Sequence, residues 1–368
     1  MSTLHITNGD HAAGKLRRFV DGPVALARDV LHEGPCPPVD GDAWHEVRAH
    51  FLAGYGGATA DEVRASLAAD DGTIAEAGRR GDKIVLWFEH DLFDQLAIIR
   101  TLDLLVRLKP DTTESTRPDT ADIARLDSTE TGNAARLISG VRRTLPRVSL
   151  ICIDRFPGVD RFIGLGQLTV EQLAALNGTG ASVTRGHYQL AVDAWRAFRS
   201  ADPRDLVQVA YQLGAAQLPV SEGGPALPFL GDALLRFLAE YPSVDNGLSR
   251  TEELALRALS GGRLTAGTLF SATQSLEARP FMGDSTFFGI LQRLASARVP
   301  LVSIEAETDE ADPAARLIAI AEAGRDVLAG RADHVRLNAV DVWRGGVHLT
   351  GSDASPWRWD AHHETLVS

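Results

Sequence analysis

Apolar residues recur along the chain in two periods, and the periods alternate. Residues 3–7 form a short apolar run that ends in Asn8, Gly9 and Asp10, and a helical pattern over 12–19 follows. A second run covers 23–28. Helical spacing, with apolar positions three and four apart, then occupies 44–52 and 60–69. The third run is the clearest. Residues 83–95 read KIVLWFEHDLFDQ, a buried-strand sequence that stops in Glu89, His90 and Asp91, with Asp94 and Gln95 a turn further on. A long amphipathic helix is predicted over 92–108, and a fourth strand over 148–153 closes on Asp154. Strands alternating with helices predict a mostly parallel sheet covered on both faces, Rossmann-like in plan.

Beyond this sheet the period is helical. Helices are predicted over 169–176, 186–199, 203–214 and 228–238, with Tyr188, Ala191, Trp195 and Phe198 on one face of the second. The last third reads differently. Three helices (250–259, 264–276 and 284–297) precede a strand at 301–305. A helix over 314–328 and a terminal hairpin from 335–338 and 346–349 complete the pattern. Three helices with a small β-wing predict a winged-helix-like domain. The expected organisation is an α/β domain at 1–180, a helical linking region at 181–243 and the winged-helix-like domain at 244–368. Residues 109–122 read KPDTTESTRPDTAD and cannot bury much apolar surface, so 109–147 is expected as a partly disordered insertion.

Several phrases, in this order along the chain, resemble a bacterial family catalogued as domain of unknown function 1835. They are LHITNGDHAAGKL at 4–16, RDVLHEGP at 28–35, VLWFEHDLFDQL at 85–96 and FIGLGQLTVEQL at 162–173. GLSRTE at 247–252, FMGDSTFF at 281–288, VWRGGVHL at 342–349 and WRWD at 357–360 resemble the tail found with that domain. The resemblance spans most of the chain. Relative to the family's spacing, 109–147 is inserted and 314–330 is diverged. The resemblance implies an architecture and supplies no activity.

Composition narrows the function classes. The formal net charge is −12, which opposes broad attraction to nucleic acid or anionic membrane. From residue 248 onward, 12 Arg stand against 16 Asp and Glu, and the third helix of the wing pattern carries only Arg293 as a base. Contact with nucleic acid through the winged helix therefore has poor electrostatic support. Cys36 and Cys152 have neither metal-ligand nor disulfide-framework spacing and read as free thiols. No stretch approaches the ~18 apolar residues of a membrane helix, and the start lacks the basic and apolar regions of a signal peptide. The expectation is a cytoplasmic protein without a membrane partner.

In a parallel sheet, the strand ends share one rim, and ligands bind there. The candidate ligand loop is NGDHAAGK at 8–15. Asn8, Gly9 and Asp10 sit at the turn, the following helix offers N–H groups to an anion, and Lys15 adds a positive charge. The sequence is neither a Walker A loop nor GxGxxG, and Asp10 as a helix cap is the structural alternative. Glu33, Glu89, His90 and Asp91 are the candidate catalytic residues, with Gln95 beside the ligand. Glu89 and Asp91, if alternating along one strand, project to one side, where paired carboxylates hold Mg²⁺ or Mn²⁺ or move protons. Capping by Asp91 explains Asp91, Asp94 and Gln95 equally well, and leaves Glu89 and His90 unexplained. His5, inside the first strand, reads as a core residue. GLGQL at 164–168 suits close backbone packing.

The sequence thus supports an enzyme or ligand-binding protein for a phosphorylated or nucleotide-like small molecule. The alternatives are a regulatory adaptor whose winged helix contacts protein or DNA, and a protein-interaction scaffold.

Overall fold

A computed structural model describes residues 2–108, 145–215, 227–305, 312–351 and 357–368. The expected insertion lies outside the described residues except at its end, where 145–147 lead into a strand. The chain divides into two compact units. The first comprises Met1–Arg28, Ala68–Glu89 and Ala97–Trp195; the second comprises Asp29–Leu67, His90–Leu96 and Arg196–Ser368. Segments 29–67 and 90–96 therefore cluster with carboxyl-terminal residues.

The first unit is built on a five-stranded sheet. Its strands are β1 (Thr3–Thr7), β2 (Val24–Leu26), β3 (Lys83–Glu89), β4 (Arg147–Ile153) and β5 (Ala181–Ser182), in the order β2-β1-β3-β4-β5. The first four run parallel, and only β5 is antiparallel. β3 is central, and its residues Ile84 to Glu89 are all buried, as a strand covered on both faces requires. Val85 and Trp87 face a core made with Ala12 and Leu16 of α1 (Asp10–Leu16) and with Phe162, Leu165, Leu168 and Leu173. Leu173 belongs to α5 (Val170–Leu176), whose capping box joins Thr169 and Gln172. Burying each large apolar side chain of this set contributes about 1.5–3 kcal/mol.

Helix α3 (Ala60–Arg80) is longer than the 60–69 pattern predicted. Its second half is charged and shows little apolar periodicity. Ile74, Ala75 and Ala77 are nevertheless buried, and ion pairs add to this packing: Arg28 to Asp70 at 2.9 Å and Arg100 to Asp71 at 2.6 Å. Helix α4 (Leu92–Arg107) follows β3 as expected.

The second unit contains α2 (Asp42–Ala53), α7 (Arg204–Ala215) and α8 (Leu230–Leu238); α6 (Arg185–Phe198) precedes α7. Three helices follow, α9 (Arg250–Leu259), α10 (Ala266–Ser275) and α11 (Asp284–Ser296). A three-stranded antiparallel sheet accompanies them, with β6 (Leu264–Thr265), β7 (Val302–Glu305) and β8 (Leu317–Ile320) in the order β6-β8-β7.

Two sequence expectations fail here. The helix predicted over 314–328 is a 3-10 turn at Pro313–Ala315, then β8, then α12 (Glu322–Leu328). The apolar run LIAI is too short for its period to distinguish strand from helix, and pairing on both sides decides it. The predicted strand at 335–338 is helix α13 (His334–Asn338), capped by the Asp333 side chain. The hairpin is formed instead by β9 (Val340–Arg344) and β10 (Val347–Gly351). Gly345 and Gly346 make its turn. A Cβ at either would stand about 2 Å from a backbone oxygen of Phe198 or Arg199, so only glycine fits. A second hairpin, β11 (Arg358–Asp360) and β12 (Thr365–Val367), ends the chain.

Among the described residues, no helix is long and apolar enough to cross a membrane.

Candidate functional site

β1 ends at Thr7 with Asn8 just beyond it, and its neighbour β3 ends in Glu89, so two of the expected residues meet. The Asn8 Nδ2 donates to Glu89 Oε2 at 3.1 Å, and the backbone N–H of Leu165 donates to Glu89 Oε1. Glu89 is buried. It lies on the same face of β3 as Val85 and Trp87, beneath the 3-10 turn at Leu165–Gln167. Gly164 explains the GLGQL sequence: a Cβ there would lie 2.9 Å from Glu89 Oε1. The carboxylate thus ties together β1, β3 and the turn.

The ligand loop is otherwise arranged than the sequence suggested. Helix α1 starts at Asp10, its N-cap is Gly9, and no side chain caps it. The φ of Gly9 is −128°, which any residue adopts, so the backbone does not demand glycine there. Open space surrounds the Gly9 Cα, and Asp10 is exposed. The Lys15 ammonium does not face an anion site. It donates to the carbonyl oxygens of Gly166 at 2.6 Å and Leu168 at 2.7 Å, fastening α1 to the same turn that holds Glu89. His5 is a core residue, as expected: its Nδ1 accepts from Trp87 Nε1 at 3.0 Å, and burial lowers its pKa. The Thr7 hydroxyl is buried at the strand end with no hydrogen-bond partner among the described residues.

The pleat argument for Glu89 and Asp91 does not apply, because β3 ends at Glu89 and alternation stops with it. Asp91 caps α4. Its Oδ1 accepts from the Asp94 N–H at 3.0 Å, and its carbonyl accepts from the Gln95 N–H at 3.0 Å. His90 packs edge-on against Phe229, with ring centroids 6.0 Å apart. Asp91, Asp94 and Gln95 are all buried. Among the described residues, no group of three or more His, Cys, Asp or Glu side chains is arranged to hold a metal ion.

Glu33 is buried, not an exposed loop acid, and it belongs to a charged cluster in the second unit. Arg48 of α2 lies fully buried among Asp29, at 2.7 and 2.9 Å, and the carbonyls of Val30, Glu33 and Pro35. The Glu33 carboxylate stands 3.8 Å from Arg344, and burial raises its pKa against the opposing pull of that arginine. His32 sits between Phe93 and Phe281, with neither ring nitrogen hydrogen-bonded among the described residues. Burial lowers its pKa to about 3, so the imidazole is neutral at pH 7.

Deeper in the cluster, Arg236 donates to Glu240 at 2.7 Å and to Glu277 at 2.5 Å, while Thr251 donates to Glu240 through both its N–H and its hydroxyl. Burial would raise the Glu240 pKa, but Arg236 and Arg344 outweigh it and hold the carboxyl at about 2. Sequence reasoning missed Arg48, Arg236, Glu240 and Arg344. A signal existed for three of them: Arg48 follows Trp44 by four positions, and Arg236 and Glu240 stand four apart beside an apolar helical face. Arg344 gave none.

Comparison with protein-family models and with curated proteins finds no match to this chain.

Proposed function

We propose that the chain binds, or acts on, a phosphorylated or nucleotide-like small molecule at the carboxyl ends of its parallel strands. One observation carries this reading. β1 and β3 are neighbours, the chain leaves β1 for β2 on one side, and it leaves β3 for β4 on the other. That reversal is the topological switch point at which Rossmann-like sheets open a crevice for ligands. Asn8 and Glu89 end these two strands and are already hydrogen-bonded to each other. The open space at Gly9, and the Thr7 hydroxyl without a hydrogen-bond partner among the described residues, support a ligand at the same end. In this reading Asn8 orients the ligand, Glu89 accepts a proton or a ligand hydroxyl, and Asp10 stands at the entrance. Lys15 serves the turn instead. The likeness to domain of unknown function 1835 belongs to the same proposal.

Isothermal titration of the intact protein with nucleotides and sugar phosphates, with and without Mg²⁺ or Mn²⁺, tests it. At least one ligand is expected to bind, and Asn8→Ala and Asp10→Ala to weaken it about tenfold, or ~1.4 kcal/mol. Silence across the whole panel, or equal binding by both variants, overturns it.

A second reading rests on element order. Helix, strand, two helices and two strands, with the first strand pairing to the last, is the winged-helix plan, followed here by α9, β6, α10, α11, β7 and β8. Such a module in an adaptor would present α11, whose only base is Arg293, and so favours a protein partner over nucleic acid. A salt-dependent mobility shift on genomic DNA would overturn that preference.

A further inference from the structure

The first unit has an open cleft of ≈ 620 Å³ at the amino-terminal ends of its strands, the edge opposite Asn8 and Glu89. Thr3, Lys83 and Arg147 lie in register across β1, β3 and β4, and Ser149 and Ser182 across β4 and β5. All five line the cleft. Alternation puts them on the face of the sheet that carries Val85, Trp87 and Ile151 further along. Those apolar rows lie under α1 and α5, whereas the polar rows at the strand starts face the cleft. Lys83 and Arg147 are the unusual feature. In-register residues of neighbouring strands stand about 4.8 Å apart, so two positive charges are held side by side. Neither has a carboxylate within ion-pair distance among the described residues, and none of the lining residues is acidic. The adjacent acid, Asp82, is committed elsewhere: it accepts from the Ser2 N–H at 3.0 Å and from Arg80 Nε at 2.8 Å. Like charges so placed repel, yet a chain with 49 Asp and Glu against 37 Lys and Arg leaves this pair without a counter-charge. The field of Lys83 reaches the next row, where it adds to burial in lowering the His5 pKa.

We infer that this cleft binds an organic phosphate monoester, with the phosphate group between Lys83 and Arg147. Two adjacent cations suit a dianion, and the hydroxyls of Thr3, Ser149 and Ser182 add donors for its further oxygens. A cationic ligand would meet both charges with no acid to hold it. The cleft is larger than a bare phosphate needs and lies within the roughly 300–1,000 Å³ of small-molecule sites. Pro146, Val148 and Val183 offer apolar surface to the body of the ester. This inference does not depend on the strand-end proposal, and the two sites share no residue.

Titration calorimetry and thermal shift on the full chain test it, with phenyl phosphate as the probe. Benzoate, which carries a single negative charge, and phenol, the body without the phosphate, serve as controls. Phenyl phosphate is expected to bind saturably and to raise the melting temperature, and each control to bind at least tenfold more weakly. Lys83→Gln and Arg147→Gln, both at exposed strand starts, are each expected to weaken phenyl phosphate at least tenfold and to remove its thermal shift. Absence of phenyl phosphate binding up to about 10 mM overturns the inference. So does equal binding of benzoate or phenol, or binding that survives both variants. Binding that is lost in Asn8→Ala and kept in Lys83→Gln belongs to the carboxyl ends of the strands. That result overturns this inference and leaves the strand-end proposal standing.

Discussion

Ala339 has φ 60° and ψ 175°, a backbone conformation that is essentially reserved for glycine. It joins α13 to β9 and lines a cavity of ≈ 220 Å³ in the second unit. Strain of this kind costs about 1–3 kcal/mol, and glycine returns part of the gain through its freer unfolded state. Ala339→Gly is therefore expected to raise stability by about 1 kcal/mol, read from the urea midpoint at unchanged m-value. At Gly164 the sign is opposite. A Cβ would press into the Glu89 carboxylate and displace the turn that holds it. Gly164→Ala is expected to destabilise by ~1–3 kcal/mol in the same measurement. Of the candidate residues, Asn8, Glu89 and Asp91 were legible because each ends a strand or starts a helix, and local sequence fixes those positions. The role of Lys15 was not legible. Its carbonyl partners lie about 150 residues away in the chain, and a lysine's sequence neighbours do not say where a flexible four-carbon stem will reach.

At the scale of elements, the buried ion cluster of Arg236 on α8 with Glu240 and Glu277, which follow α8 and α10, separates pairing from mere burial. Arg236 satisfies Glu240 and Glu277 together, and its ring-face contact with Phe281 places the guanidinium 5.0 Å from the ring centroid. Removing it leaves two buried carboxylates without their main counter-charge. Arg236→Ala is expected to cost ~3–5 kcal/mol, measured by chemical denaturation. The strands β1, β3 and β4 were readable because long apolar runs ended in polar clusters. The helices α5 and α9 were readable from their helical pattern, and the structure adds capping boxes at Thr169–Gln172 and Ser249–Glu252. β8 was misread because four apolar residues carry no resolvable period. The charged half of α3 was cut short because its few buried apolar residues, Ile74, Ala75 and Ala77, make no clear period, and its ion pairs come from residues distant in sequence.

At the scale of the whole molecule, buried titratable groups make the protein acid-labile. His32 has a folded pKa of about 3 against 6.5 for the free side chain. Between these values the unfolded chain binds a proton that the native chain refuses, so stability falls with falling pH by up to about 1.4 kcal/mol per unit. Glu240 acts in the same direction at lower pH. Its folded pKa of about 2 lies below the ordinary 4.5, so the stability from its ionised form is complete above 4.5 and is lost as pH falls towards 2. His32→Phe removes the first proton and two unbonded ring nitrogens. It is expected to flatten the stability curve between pH 6.5 and 3 and to leave the lower-pH loss in place, as followed by denaturation across that range.

The sequence by itself determined the local periods. They gave a mostly parallel sheet with helices between its strands, a helical middle, and three helices with small strands near the end. They also marked Asn8 and Glu89 as residues at strand ends, because a run that switches from apolar to polar records where burial stops; that the two strands are neighbours came from the tertiary structure. Only the tertiary structure decided what those ends touch. It assigned Glu89 to the Gly164 turn and Lys15 to backbone carbonyls. It also placed Glu33 in a buried charged cluster, and gathered Arg48, Arg236, Glu240 and Arg344 into charged sites that no stretch of sequence contains. The physical reason is range. Periodicity and capping act within a few residues, whereas a buried charge is defined by partners brought from distant parts of the chain.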